Sequence, residues 1–89
     1  MPASIIKRRR AQEFISNNEP LVENIDSILK EISKNPFVDA KTKFYWSAPP
    51  AVLTLCVKGG LWVLYYLNSD CTQIEVWNIG KHGEKPTLR

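Results

Sequence analysis

The sequence predicts an α+β fold, with two N-terminal helices packed on a three- to four-stranded antiparallel sheet. Three observations carry this. The stretch from Val52 to Ile79 holds three β-rich runs, 52–57, 61–67 and 73–79, around Gly59-Gly60. Leu21, Ile25, Ile28, Leu29 and Ile32 recur at helical spacing. The chain has 89 residues, 44% hydrophobic and 24% charged, which suits one domain with a modest core and not a disordered segment.

In chain order, Lys7-Arg8-Arg9-Arg10 comes first and concentrates the positive charge. The whole chain is +3, so the remainder is net negative by one. A local basic run can meet a nucleic acid or an acidic partner, but a solvated face or loose arm is the simpler reading. Residues 11–18 read as a short helix whose start can fall within the arginines, with Phe14 and Ile15 inward. Asn18-Glu19-Pro20 reads as the start of a second helix, because asparagine caps free amides and proline fits the first turn. Asn35-Pro36 ends it. Residues 11–35 carry a net charge of −3, a poor surface for nucleic acid.

A loop is expected next, in which Lys41 and Lys43 are flanked by the aromatics Phe37, Phe44, Tyr45 and Trp46. This is the composition of a stacking-plus-phosphate surface, or of a plug for a small core. Ala48-Pro49-Pro50 should delay regular pairing until residue 51 or 52. Gly59-Gly60 accommodates the positive φ angles of a tight hairpin, and Asn68-Ser69-Asp70 supplies a second turn. The first two strands are apolar on both faces. The helices can cover one face, and the tryptophan-bearing loop or a partner is expected on the other.

Cys56 and Cys71 show neither CxxC spacing nor a His/Cys cluster, so no metal site is expected. The start Met1-Pro2-Ala3-Ser4-Ile5-Ile6 lacks signal-peptide character, so reduced thiols in the cytoplasm are expected, although a Cys56–Cys71 pair stays open. Lys58-Gly59-Gly60 interrupts the apolar stretch 51–67, which reads as a hairpin and not as a membrane span.

The order of elements, with Lys34-Asn35-Pro36, Val38-Asp39-Ala40-Lys41, the strand Gly60-Leu61-Trp62-Val63-Leu64-Tyr65 and the ending Ile79-Gly80-Lys81-His82, resembles the RelE/ParE superfamily of toxin proteins. The resemblance implies a single domain over residues 1–89: a basic segment 1–10, helices 11–35, a meander 52–79 and a tail 80–89. It implies a toxin of a type II toxin-antitoxin pair, with a cognate acidic antitoxin as partner. For the ribosome-dependent branch it also implies the ribosome, mRNA and metal-independent RNA cleavage. No cofactor and no membrane are implied.

Residue by residue, the family's hairpin strand begins Gly-aromatic-Arg. Here Gly60 and Tyr65 match, Leu61 replaces the aromatic and Trp62 stands for the arginine. Leu53 and Leu55 occupy first-strand positions where that branch offers lysines, and Leu88 falls at a tyrosine position. His82 and Lys81 are left as catalytic candidates, with Lys58, Lys85, Lys41 and Lys43 as phosphate contacts. Each has a plainer reading, since a lone histidine beside glycine is commonly a loop residue and turn lysines keep an apolar sheet soluble. Trp62 and Trp77 either pair across adjacent strands or form a patch for the antitoxin. A non-catalytic binding module, such as a topoisomerase inhibitor or antitoxin-binding scaffold, is the alternative. An unrelated α+β domain with the same element order is the third.

Overall fold

The computed structural model describes residues 3–39, 41–48 and 51–86. Strand β1 (Ser4–Lys7) leads into helix α1 (Arg9–Asn17), a 3-10 turn at Glu19–Leu21 and helix α2 (Val22–Lys34). Strands β2 (Lys43–Ala48), β3 (Ala51–Lys58), β4 (Leu61–Leu67) and β5 (Gln73–Lys81) follow. They form one sheet in the order β1-β5-β4-β3-β2. The class is the expected one, but the sheet has five strands and is mixed, because β1 runs parallel to β5.

Both additional strands come from segments read otherwise. Residues 4–7 fall in the expected basic segment 1–10, and four residues with only Ile5 and Ile6 apolar are too short to display a period. The expected loop around Phe44-Tyr45-Trp46 is β2, whose aromatic side chains suit a pleated surface. Ala48 pairs with Ala51 across Pro49 and Pro50, which lie outside the described residues.

In α2 the apolar stripe is inward as expected: Ile25, Ile28, Leu29 and Ile32 are buried and Leu21 packs at their edge. They meet Cys56, Leu61, Val63, Tyr65, Ile74 and Val76 on one face of the sheet, with Ala11 of α1 buried alongside. Each isoleucine, leucine or valine among them contributes about 1.5–3 kcal/mol by leaving water. Asn18 does not cap the second helix. Its Nδ2 donates to the Phe14 carbonyl at 2.8 Å and so closes α1, while α2 starts from the 3-10 turn containing Pro20. Tyr65, fully buried, donates its hydroxyl to the Pro36 carbonyl at 2.7 Å and fixes the chain leaving α2.

Among the described residues no helix covers the other face of the sheet. There Leu53, Trp62 and Leu64 are buried under one another, flanked by Trp46, Leu55, Val57 and Trp77. The basic run is integrated into the fold at this edge. Lys7 ends β1, Arg8 stacks over the Trp77 ring at 4.1 Å and pairs with Glu75, and Arg9 pairs with Glu13 one helical turn on.

Candidate functional site

The turn between β3 and β4 organises one end of the sheet. Gly59 and Gly60 have φ of +60° and +77°, in the left-handed region where a side chain is strained. The turn is held from both sides. Asn24 of α2 donates its Nδ2 to the Gly59 carbonyl at 2.9 Å, and the His82 backbone N–H donates to the Gly60 carbonyl at 2.8 Å.

Between these ties opens a cleft of about 580 Å³. One wall is the junction of α1 with α2, carrying Asn17, Asn18 and Asn24. The opposite rim carries Lys81 and His82, and Pro20, Leu21 and Leu61 supply the apolar lining. Lys81 lies opposite Leu61 in the β4–β5 ladder, which turns it toward the helix side. Lys81 and His82 are both exposed, and the Lys81 N–H donates to the Glu84 carboxylate at 3.2 Å. The two candidate catalytic residues therefore meet in one cleft.

The four candidate phosphate contacts divide. Lys43, Lys58 and Lys81 share the helix side of the sheet at this end, but β5 and β2 are three strands apart, about 14 Å at ordinary strand spacing. Lys58 is paired with Glu31 of α2, whose carboxyl this ammonium holds below its ordinary range. Lys43 is buried, with 3% of its surface exposed, and its Nζ lies 3.8 Å from the Asp39 carboxylate. Three backbone N–H groups, those of Lys41, Thr42 and Lys43, also donate to Asp39 Oδ1 at 2.9 Å and hold its carboxyl far below its ordinary value. Lys41 and Lys85 are exposed, and no acidic partner meets either side chain among the described residues.

The expected stacking surface of lysines and neighbouring aromatics is divided by the pleat of β2. Lys43 and Tyr45 lie on the helix side, opposite Cys56 and Thr54, whereas Phe44 and Trp46 lie on the other face opposite Leu55 and Leu53. Tyr45, 75% exposed, instead shares a hollow of about 190 Å³ with Phe37 and Val52 beyond the end of α2.

Trp62 and Trp77 do not pair directly. Trp62 faces Gly80, and Trp77 is the extra residue of a β-bulge opposite Leu64/Tyr65. Trp62 is 5% exposed, so of the two only the half-buried Trp77 presents much surface. The indole Nε1 of each is buried with no hydrogen-bond partner among the described residues. Leu88 lies outside the described residues.

Both thiols are free: Cys56 is buried beneath α2, where burial pushes its thiol up, and Cys71 is exposed in the turn before β5. Among the described residues no group of three or more His, Cys, Asp and Glu side chains is placed to hold a metal ion. None of the described helices is long and apolar enough to cross a membrane.

Of the amides in the cleft, the sequence singles out only Asn18, and as a helix cap; nothing local marks Asn17 or Asn24 as neighbours of the β3–β4 turn. Asn17 and Asn24 face a common space with His82.

No family model matches the chain, and no curated protein matches it in sequence. Among solved structures, a chain of the RelBE2 toxin-antitoxin complex from Mycobacterium tuberculosis superposes with a TM-score of 0.73 at 12% identity. The match covers 92% of this chain and 100% of that one. The chain therefore shares its fold with that chain of the RelBE2 complex.

Proposed function

We propose that this RelE-like chain is the toxin-like component of a type II toxin-antitoxin pair, and that it acts as a metal-independent RNA endonuclease on translating ribosomes. The observation that supports the catalytic reading is the meeting of His82 and Lys81 in the cleft beside the Gly59-Gly60 turn.

The chemistry needs little more than those two groups and a positioned substrate. The 2'-oxygen of a ribose attacks the adjacent phosphorus, the bond to the 5'-oxygen breaks, and a 2',3'-cyclic phosphate and a 5'-hydroxyl result. An imidazole gives or takes a proton near neutral pH, so His82 would accept the 2'-hydroxyl proton or supply one to the leaving oxygen. The Lys81 ammonium would stabilise charge on the non-bridging oxygens. Lys41 and Lys85 would hold flanking phosphates as point charges. Lys43 and Lys58 would join them only by exchanging Asp39 and Glu31 for RNA.

The antitoxin reading draws on the uncovered sheet face, where Trp77, Leu55 and Val57 remain partly accessible over the buried Trp62. A cognate acidic partner would add charge complementarity with the exposed lysines.

One observation favours the alternative of a binding module that inhibits by occupancy. Lys43 and Lys58 are already neutralised by acids, and Leu53 and Leu55 present no cation on β3. One experiment separates the two. Purified protein is added to translating ribosomes and mRNA ends are mapped by primer extension. The nuclease reading expects cuts within A-site codons that a His82→Ala variant does not make, whereas intact mRNA at high protein concentration leaves the binding module.

A further inference from the structure

The cleft that holds His82 and Lys81 has more polar functionality than phosphoryl chemistry requires. Asn17 is exposed at the last position of α1, and its side-chain amide makes no hydrogen bond among the described residues. Asn24 uses its Nδ2 on Gly59, which leaves Oδ1 as an acceptor beside the turn. Asn18 likewise uses Nδ2 on Phe14 and keeps its Oδ1. These amides stand across the cleft from an ammonium and an imidazole, with Leu21 and Leu61 supplying apolar surface. At Gly60 the space where a Cβ would project is open.

A carboxamide presents a donor and an acceptor side by side, the pattern that matches the edge of a nucleobase. An apolar wall accepts the face of the base, and a cation at the rim accepts a phosphate. The volume, about 580 Å³, lies within the roughly 300–1,000 Å³ usual for small-molecule sites.

We infer that this cleft is a single-nucleotide subsite, in which the amides of Asn17 and Asn24 read a nucleobase edge while Lys81 and His82 engage the adjoining 3'-phosphate. The inference rests on the proposed RNA reading for its biological ligand, but the binding is measurable without ribosomes or cleavage. Asn17 is a specificity residue in this account, since its amide is free to turn toward a base. Glu84, whose carboxylate reaches the Lys81 N–H, places a negative charge near the phosphate end of the cleft and should weaken every anion alike.

The test titrates adenosine and uridine 3'-monophosphates into 15N-labelled protein, with ribose 5-phosphate and inorganic phosphate as base-free probes. The expected result is saturable shifts at the Asn17 and Asn24 side-chain amides and at Gly60. At least one nucleotide should bind roughly fivefold or more tighter than ribose 5-phosphate, the low end of a good amide–base contact. Asn17→Ala, an exposed change, should remove that advantage and leave inorganic phosphate binding unchanged, and Glu84→Gln should strengthen both. Equal binding of nucleotides and ribose 5-phosphate, shifts confined to another surface, or an Asn17→Ala variant that keeps the preference would each overturn the subsite. Nucleotide binding without mRNA cleavage would sink the nuclease reading alone. Cleavage without base preference in this titration would sink the subsite alone.

Discussion

The indole of Trp62 lies across Gly80, occupying the space where a side chain on β5 would begin. A Cβ built on Gly80 would fall 2.1 Å from Trp62 Cζ2 and 2.6 Å from its Nε1. Gly80 has no positive φ, so the requirement there is room and not backbone freedom. Gly80→Ala should therefore displace the tryptophan and destabilise the fold by roughly 1–3 kcal/mol, as overpacking does. Urea unfolding checks this, with Trp62→Ala as the partner in a double-mutant cycle. The two changes should couple, because alanine at 80 has no ring to meet once Trp62 is gone.

Tyr65 is the next residue whose role is structural. Burial raises its phenol above the ordinary range, and its hydroxyl meets the Pro36 carbonyl. Tyr65→Phe keeps the ring and leaves that carbonyl without its donor, at a cost of roughly 1–3 kcal/mol. Denaturant midpoints measure the loss, and unchanged RNA or partner binding by the folded variant would separate this role from a functional one.

Asp39 sets a pH dependence. Its folded carboxyl titrates far below the ordinary 3.8, held there by backbone N–H donors first. For a depressed carboxylate, the stabilisation is fully present above the unfolded value and declines as pH falls through the interval down to the folded one. Stability should thus fall as pH drops below about 4, and Asp39→Asn, which keeps an acceptor oxygen but does not ionise, should flatten that decline. Chemical unfolding at a series of acidic pH values reads the difference, and parallel curves for the two proteins would count against it.

Glu31 restrains Lys58. Glu31→Gln removes the carboxylate that the ammonium now faces and should free a cation at the Gly59-Gly60 end of the sheet. If RNA tracks this end, the variant should bind a single strand more tightly. The slope of log affinity against log salt should steepen by about 0.7, one phosphate contact on a single strand. An unchanged slope would place Lys58 outside the RNA path.

What the sequence made legible follows from which signals are local. The Gly59-Gly60 hairpin and the α2 stripe from Leu21 to Ile32 were readable because turn chemistry and helical period are local properties. Strand β1 was not, because Ile5 and Ile6 acquire meaning only when paired with β5 from the far end of the chain. Strand β2 was hidden by its aromatics, which decorate both faces and give no alternation. Of the candidate site, Lys81 and His82 are consecutive in the chain, so their sharing one rim of the cleft needs no long-range information. The inward turn of Lys43 was not, since it depends on Asp39 folding back from the loop to meet it. Leu61-Trp62, which departs from the resembled pattern, proves to be two core positions on opposite faces: Leu61 beneath the helices, and Trp62 over Gly80.

The most direct measurement of the central claim is growth of a bacterial host while the chain is expressed from an inducible promoter, alone and together with the product of the adjacent reading frame. Arrest on induction, relief when the neighbour is co-expressed, and co-purification of the two as a complex are expected. Normal growth at high levels of folded protein, with no complex formed by the neighbour, would contradict it.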